Sequence, residues 1–271
     1  MKDVTFGQYY PANSIVHNLN PAVKIFLTIA YIVAVFMVKQ FYFLGFALCL
    51  FVVVLVTILS KIPFLKVLKS VKAVIFFVLL SAVLQLLFNK QGTPLWKDGF
   101  ITDIGLLTAG FITARILLMV LGATLLTLTT SPVDLADGIE TLLFPLKLIK
   151  FPVHEFALIM SIALRFIPTL IDETDRIIKA QKARGADFES GSIFKRAKAL
   201  IPVLIPLLIS SFRRADELAD AMDSRCYSGS KNRTKYKKMK LTYRDLLATI
   251  LTAGLIVSIV FLNKFYLFLV I

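Results

Sequence analysis

Five long apolar segments limit what this chain can fold into. Each has 16 or more mostly apolar residues, and a helix needs about 20 to cross about 30 Å of hydrocarbon. Hydrophobic residues make up 58% of the chain and the mean hydropathy is +0.80, as in integral membrane proteins. We therefore expect an all-α membrane protein with five transmembrane helices, at Val23–Val38, Phe41–Leu59, Ala73–Phe88, Ile104–Leu128 and Leu246–Leu262.

Loop charges predict how these spans are oriented, because lysine and arginine are retained on the cytoplasmic side. The linker at 60–72 carries four lysines and no acid, so it is expected inside. The linker at 89–103 balances two lysines against two aspartates and is expected outside. The basic region 129–240 is expected inside. The amino terminus is then cytoplasmic and the carboxyl terminus lies outside.

The basic region between the fourth and fifth spans predicts a separate cytoplasmic domain. Its apolar runs are too short for a span, since Arg165 interrupts one and Pro202 and Pro206 lie in the other. Apolar residues recur at three- and four-residue steps, which indicates amphipathic helices. The predicted domains are 1–128, 129–240 and 241–271. The predicted helices of the middle domain are Ser131–Leu148, Pro152–Ala183 and Ser192–Arg225.

The net charge of +14 is attributed to contact with anionic lipid heads rather than to nucleic acid, which is not an expected partner. Cys49 and Cys226 are too few for a disulfide framework and are expected to be free thiols.

The sequence lacks the motifs of common catalytic sites. No Gly-Lys pair occurs, so the phosphate-binding loop of ATPases is missing. His154-Glu155 starts like a zinc-protease helix, but Leu158 stands where the second histidine is required. We expect no catalytic residue, no metal site and no cofactor bound by this chain.

Arg115 lies inside the fourth apolar segment. Buried charge in a membrane often has a function, but a partner within the bundle or a side chain reaching the interface explains it equally well. A stand-alone secondary transporter would need ionisable residues in several spans, and a membrane enzyme would need clustered His, Asp or Glu. A secondary transporter and a membrane enzyme are therefore minor alternatives for the function of this chain.

Small residues near Gly110 and Gly122 predict close helix packing.

Arg184 and Arg225 each fall at the end of a predicted long helix. Compensation of the helix dipole and bonds to free carbonyls explain one such arginine. Two of them, each after a small residue and before Gly185 or Cys226, favour a second role. A guanidinium group with five donors suits the carboxylates and carbonyls of a partner protein.

Several short motifs along the whole chain resemble those of the transmembrane T component of energy-coupling factor (ECF) transporters. Each motif is weak alone, but their order and spacing together are specific. They are Ser14-Ile15-Val16-His17-Asn18-Leu19-Asn20-Pro21, Thr129-Thr130-Ser131-Pro132, Gly138-Ile139-Glu140, His154-Glu155, Ala163-Leu164-Arg165-Phe166-Ile167-Pro168, Gln181-Lys182-Ala183-Arg184-Gly185 and Ala221-Met222-Asp223-Ser224-Arg225-Cys226-Tyr227.

The resemblance implies a non-catalytic subunit of an ATP-driven vitamin or micronutrient importer in a bacterial cell membrane. Its implied partners are two ABC-type ATPases, which use the ATP, and a membrane-embedded S component that binds the vitamin. The middle domain becomes a coupling module of one short and two long crossed helices. The implied ATPase-docking residues are Ala183, Arg184, Gly185, Ser224, Arg225 and Cys226.

The second arginine motif departs from the family pattern, since Ser224 and Cys226 replace the commoner Ala and Gly. Cysteine adopts a left-handed cap less readily than glycine, so the cap geometry there is an open question. The S component is expected to lie on the apolar face of the third middle helix, although ordinary packing explains that face equally well. The residues of this face are Ile201, Pro202, Leu204, Ile205 and Leu208.

Overall fold

The structure is a computed structural model. It describes residues 9–39, 43–72, 74–89, 92–93, 102–149, 152–188, 190, 192–227, 229 and 241–270, with only the backbone of 193 and 265–270. These residues form nine α-helices and one 3₁₀ helix, which confirms the predicted all-α membrane class. The helices are α1 (Pro21–Met37), α2 (Phe43–Ser60), α3 (Phe64–Val71), α4 (Ile75–Phe88), α5 (Asp103–Thr129), α6 (Pro132–Leu143), the 3₁₀ helix (Phe144–Ile149), α7 (Val153–Ala183), α8 (Ile193–Asp223) and α9 (Tyr243–Val270).

The candidate membrane spans differ in part from the five predicted. In the described residues, α2, α5, α7 and α9 are long and apolar enough to cross a membrane, and α3 with α4 could form one bent span. Helix α1 is shorter, at 17 residues. The prediction excluded α7 because Arg165 interrupts its apolar residues, but apolar residues on both sides of Arg165 give it sufficient length and composition.

Two local predictions need correction. The predicted linker between the second and third spans contains helix α3. Its apolar residues recur at helical spacing, and Val67 on this face is fully buried. The helix predicted at Ser131–Leu148 is divided, because α6 ends at Leu143 and a 3₁₀ helix follows. A proline at position 145, which cannot donate a helix hydrogen bond, coincides with this change.

The described residues separate into two compact units. One holds 9–141 and 241–270, and the other holds 142–229. In the first unit α5 packs on α1, α2, α3 and α4, and α9 packs on α1 and α2. The second unit is built on the pairing of α7 with α8. The predicted domain boundaries at 128/129 and 240/241 stay predictions.

Helices α1 and α5 pack closely where Tyr31 of α1 meets Gly122 of α5. A Cβ added at Gly122 would lie 2.5 Å from the ring of Tyr31, which is buried. The small residue therefore allows the two helices to approach, as the sequence predicted for this position. Gly110 has open space where its Cβ would be, so the predicted close packing does not extend there.

The first motif of the chain ties its amino-terminal segment to α1 and α5. The Ser14 hydroxyl lies 2.7 Å from Nδ1 of His17, and Nε2 of His17 donates to the Tyr10 carbonyl at 3.0 Å. Since a carbonyl can only accept, Nε2 carries the proton and Nδ1 accepts from Ser14. Lys24 Nζ donates to the carbonyls of His17 at 2.9 Å and Thr129 at 3.0 Å. The motif is thus a structural junction.

Asn20 joins this junction to the last helix. Its side chain accepts from Ala22 N at 3.0 Å and caps α1. Its backbone N–H donates to Asp245 Oδ1, in the first turn of α9, at 2.8 Å. Both residues are buried. The starts of α1 and α9, which are far apart in sequence, are therefore joined by a hydrogen bond to a carboxylate.

Candidate functional site

The second unit presents two long helices of equal length. Helices α7 and α8 each contain 31 residues, which gives each a length of about 46 Å. Each continues through internal proline, Pro168 in α7 and Pro202 and Pro206 in α8. Such lengths allow each helix to carry a displacement from one end to the other.

Helix α7 ends in a tight hydrogen-bonded turn that presents Arg184. Gly185 adopts a left-handed conformation with φ of 88°. Its N–H donates to the Lys182 carbonyl at 3.0 Å, and the Ala186 N–H donates to the Gln181 carbonyl at 3.0 Å. These two bonds define a Schellman cap. The three predicted docking residues of this end, Ala183, Arg184 and Gly185, are exposed.

Helix α8 ends in the same kind of turn, so Cys226 forms the cap that glycine forms in α7. This cysteine takes the left-handed place with φ of 58°. Its N–H donates to the Asp223 carbonyl at 2.9 Å, and the Tyr227 N–H donates to the Met222 carbonyl at 3.0 Å. The cap geometry of α7 is therefore reproduced without glycine. Ser224, Arg225 and Cys226, the three predicted docking residues of this end, are exposed.

The two helices are joined by a polar contact that the sequence analysis missed. Arg214 on α8 donates to Glu173 Oε2 on α7 at 2.5 Å, and the Ser210 hydroxyl donates to the other carboxylate oxygen. Both charged side chains are partly buried. Near the end of α7, Gln181 donates to the Pro202 carbonyl at 3.5 Å. Opposite charges within two amphipathic helices were the only signal of this pairing.

An apolar face of α8 lies open. The less exposed residues of helix α8 lie along one side of the helix, at Val203, Leu207, Ser210 and Arg214. Of these, Ser210 and Arg214 contact α7. All five residues predicted to meet an S component are exposed. Four have fractional exposures between 48% and 59%, and Pro202 is also exposed: Ile201, Pro202, Leu204, Ile205 and Leu208.

Arg115 belongs to the first unit and has a structural contact there. Its Nη2 donates to the Val38 carbonyl, at the carboxyl end of α1, at 2.7 Å. This satisfies one of the carbonyls that a helix end leaves free and places a positive charge at the negative pole of the helix. A partner within the bundle, one of the structural explanations that the sequence left open beside a functional role, is therefore observed for Arg115.

Comparison with known proteins shows the family to which this chain belongs. A family model, CbiQ, described as cobalt transport protein, matches residues 12–236. A Clostridium kluyveri protein named energy-coupling factor transporter transmembrane protein EcfT is 46% identical over 269 residues, covering 98% of each chain. This chain belongs to the EcfT family. EcfT proteins of Ruminiclostridium cellulolyticum (48% over 254 residues, 93% of this chain and 94% of the relative) and Bacillus subtilis (44% over 250 residues, 90% and 92%) are also similar.

Membership in the EcfT family places this chain among membrane transporter subunits. The recognition of an ECF transporter T component from the motifs is confirmed, since the family match includes the motif at residues 14–21 and both arginine ends. In the described residues, no group of three His, Cys, Asp or Glu side chains could hold a metal ion.

Proposed function

We propose that this EcfT-family chain transmits ATP-driven motion from two cytosolic ABC-type ATPase subunits to a membrane-embedded S component that binds a vitamin or other micronutrient. The observation that carries the proposal is the matched pair of helix ends. Helices α7 and α8 have the same length and the same Schellman cap, and each presents an exposed arginine immediately before the left-handed residue.

The docking residues at these ends are Ala183, Arg184 and Gly185 on α7 and Ser224, Arg225 and Cys226 on α8. Neither arginine has a carboxylate partner in the part of the chain that the structure describes. Each planar guanidinium can therefore bind carboxylates or backbone carbonyls of another protein. Two ends of the same geometry suit two subunits with similar docking grooves, as expected of a paired ATPase.

The contact between Glu173 and Arg214 makes the two helices a mechanical unit. Each arginine end lies eleven residues beyond its helix's member of this contact, or about 16 Å along the helix. When ATP closes the ATPase pair, a displacement of either end acts on the crossing point of α7 and α8. The helices shift together because the contact holds them at that point.

The exposed face of α8 supplies a surface on which an S component can lie. Contiguous apolar side chains exposed to this extent mark an interaction surface or a lipid-facing surface. The crossed helices would move this surface, and the S component would then tilt and release its vitamin inward. The residues assigned to this contact are Ile201, Pro202, Leu204, Ile205 and Leu208.

In this scheme the chain is not an enzyme, and ATP is used by its partners. The proposal rests on the sequence, which lacks the Gly-Lys pair of a phosphate-binding loop. The loop charges favour an amino terminus and a coupling module in the bacterial cytoplasm and a carboxyl terminus outside. Helix α7 then lies at the cytoplasmic interface despite its apolar length.

Affinity purification of the full chain from its native membrane tests the proposal. We expect two ABC ATPases and a small hydrophobic protein to be recovered with the wild type. The doubly reversed variant Arg184→Glu/Arg225→Glu should lose the ATPases. Arg213→Glu, which reverses an exposed arginine on α8 away from the caps, is the matched control and should retain them. Recovery of the chain alone, with solute transport in liposomes free of ATPases, would instead establish a secondary transporter.

A further inference from the structure

A cavity of about 440 Å³ lies where the carboxyl end of α1 meets α5. Two kinds of residue line it. Phe36, Met37, Phe111 and Ile112 form an apolar wall, and the cations are Lys39 and Arg115. No acid is among the described residues that line it. The cavity therefore has the chemistry of a site for an anion that also carries an apolar portion.

The charge of Arg115 is held in place but not neutralised. Its Nη2 is fixed by the Val38 carbonyl at 2.7 Å. Its carbon Cζ lies 5.7 Å from the ring centre of Phe36 and 5.9 Å from that of Phe46. Nε is buried and has no acceptor in the part of the chain that the structure describes. In the described residues no carboxylate pairs with this guanidinium, which has further donors beyond the one that caps α1.

A contact with α9 fixes the backbone at the edge of the cavity. Asn263 on α9 donates through Nδ2 to the Met37 carbonyl at 2.7 Å, and its Oδ1 accepts from the Lys39 N–H at 3.4 Å. The end of α1 is thus capped by Arg115 and Asn263 together. Because these bonds fix the backbone of Lys39, both cations of the cavity are attached to a defined frame.

The length of α1 brings this frame near the lipid headgroups. Its 17 residues span about 25 Å, which is roughly 5 Å less than the hydrocarbon of a bilayer. A short helix draws the bilayer surface inward, and a cation beside it lowers the cost of doing so. The end of α1 is therefore a place where headgroups can reach the cavity.

We propose that the cavity binds an anionic phospholipid. Its phosphate contacts Arg115 and Lys39, and an acyl chain lies along the apolar wall. Charge complementarity favours an anionic lipid over a zwitterionic one, because the described lining has no acid to receive a choline or ammonium group. Inorganic phosphate lacks the apolar portion and would leave that wall in contact with water. The bound lipid would fasten the end of α1 to α5.

Native mass spectrometry of the full chain, in the complex recovered from membranes, tests this site. The complex is titrated in detergent with phosphatidylglycerol, phosphatidylcholine or inorganic phosphate. Lys39→Gln removes one cation and leaves the α1 cap intact, and Arg115→Gln removes the other. Lys69→Gln neutralises an exposed lysine on α3 as the matched control. The thermal unfolding midpoint is read on the same samples.

We expect the wild type and Lys69→Gln to bind phosphatidylglycerol in preference to phosphatidylcholine. Lys39→Gln should weaken that binding about fivefold, as one interfacial charge does, with an unfolding midpoint unchanged in the absence of lipid. Arg115→Gln should weaken it at least as much. Equal binding by wild type and Lys39→Gln, equal binding of the two lipids, or the same stabilisation by inorganic phosphate alone would each overturn the proposal.

Discussion

Arg214 of α8 donates a 2.5 Å hydrogen bond to Glu173 of α7, and each residue lies eleven positions before the exposed arginine of its own helix. The contact is therefore equidistant from Arg184 and Arg225 along the two helices. Under the proposed function, a joint placed in this way would pass a displacement of either end to the other helix. Ser210, which donates to the same carboxylate, restrains the joint further.

Reversing either charge of this pair should reduce coupling without removing the docking ends. We expect Glu173→Arg and Arg214→Glu each to lower ATP-driven uptake, because like charges would then separate α7 from α8. The double variant should recover much of the uptake. Since both side chains are partly exposed, a double-mutant cycle on thermal unfolding should give about 1 kcal/mol of coupling energy.

Asp172→Arg provides the matched control for this pair. It reverses the exposed residue next to Glu173 and should leave uptake close to wild type. All these variants should still be recovered with the ATPase subunits, because neither arginine end is changed. If the double variant transports no better than the single ones, the pair does not act as the joint.

The left-handed position of Cys226 predicts a stabilising substitution. A residue with a Cβ is strained at φ of 58°, so Cys226→Gly should raise the free energy of unfolding by about 1 kcal/mol. Gly185→Ala, at φ of 88°, should lower it by a similar amount, although a Cβ there meets nothing within 4 Å. The thermal unfolding midpoints of the purified variants measure both.

Cys226→Ala separates the backbone from the thiol. It keeps a Cβ at the same dihedral angle, so its stability should stay close to that of the wild type. Recovery of the ATPase subunits should be unchanged in Cys226→Gly, because Arg225 keeps its place in the cap. If Cys226→Ala and Cys226→Gly raise the free energy of unfolding by the same amount, the sulfur, and not the backbone, causes the strain.

Most helices of this fold could be predicted because their apolar runs are long. Predictions were wrong where the signal was local. Helix α3 was taken as part of a linker because its lysines masked an amphipathic pattern. The apolar length of α7 was underestimated because one arginine interrupts it. A single charge has little effect on the total apolarity of a helix of 31 residues.

The arginine ends could be found from sequence because small residues and glycine mark a helix end. The matching caps of these two ends could not be predicted, because a cysteine such as Cys226 is not a signal of a left-handed conformation. Contacts between distant positions were also hidden. Opposite charge alone does not select Glu173 and Arg214 as partners, and nothing in the sequence pairs Asn20 with Asp245, because a single sequence does not show which residues approach in space. The cap that Arg115 provides to α1 was hidden for the same reason.

The contact of Gly122 with Tyr31 predicts that even a methyl group will disturb the first unit. Gly122→Ala places its Cβ about 2.5 Å from the aromatic ring and should lower the free energy of unfolding by about 1–3 kcal/mol. Gly254→Ala is the control, since its Cβ would meet nothing within 4 Å. That variant should be neutral or slightly stabilising. Equal unfolding midpoints in the two variants would contradict close packing of α1 on α5.

The junction around His17 predicts that the protein loses stability in mild acid. Burial, reinforced by the charge of Lys24 and opposed by the bond to the Tyr10 carbonyl, lowers the pKa of His17. The unfolded chain takes up a proton at this site below about pH 6.5, while the folded chain stays neutral to lower pH. Stability from this group is therefore complete above that pH and falls as the pH decreases through it.

His17→Gln removes the titrating group, so its stability should depend less on pH than that of the wild type. Thermal unfolding midpoints of both, measured between about pH 7.5 and 5.5, make the comparison above the range in which ordinary carboxylates titrate. Asn18→Gln, at an exposed position next to His17, is the control and should keep the wild-type slope. Equal slopes for wild type and His17→Gln would show that proton uptake by the unfolded chain at residue 17 does not set this dependence.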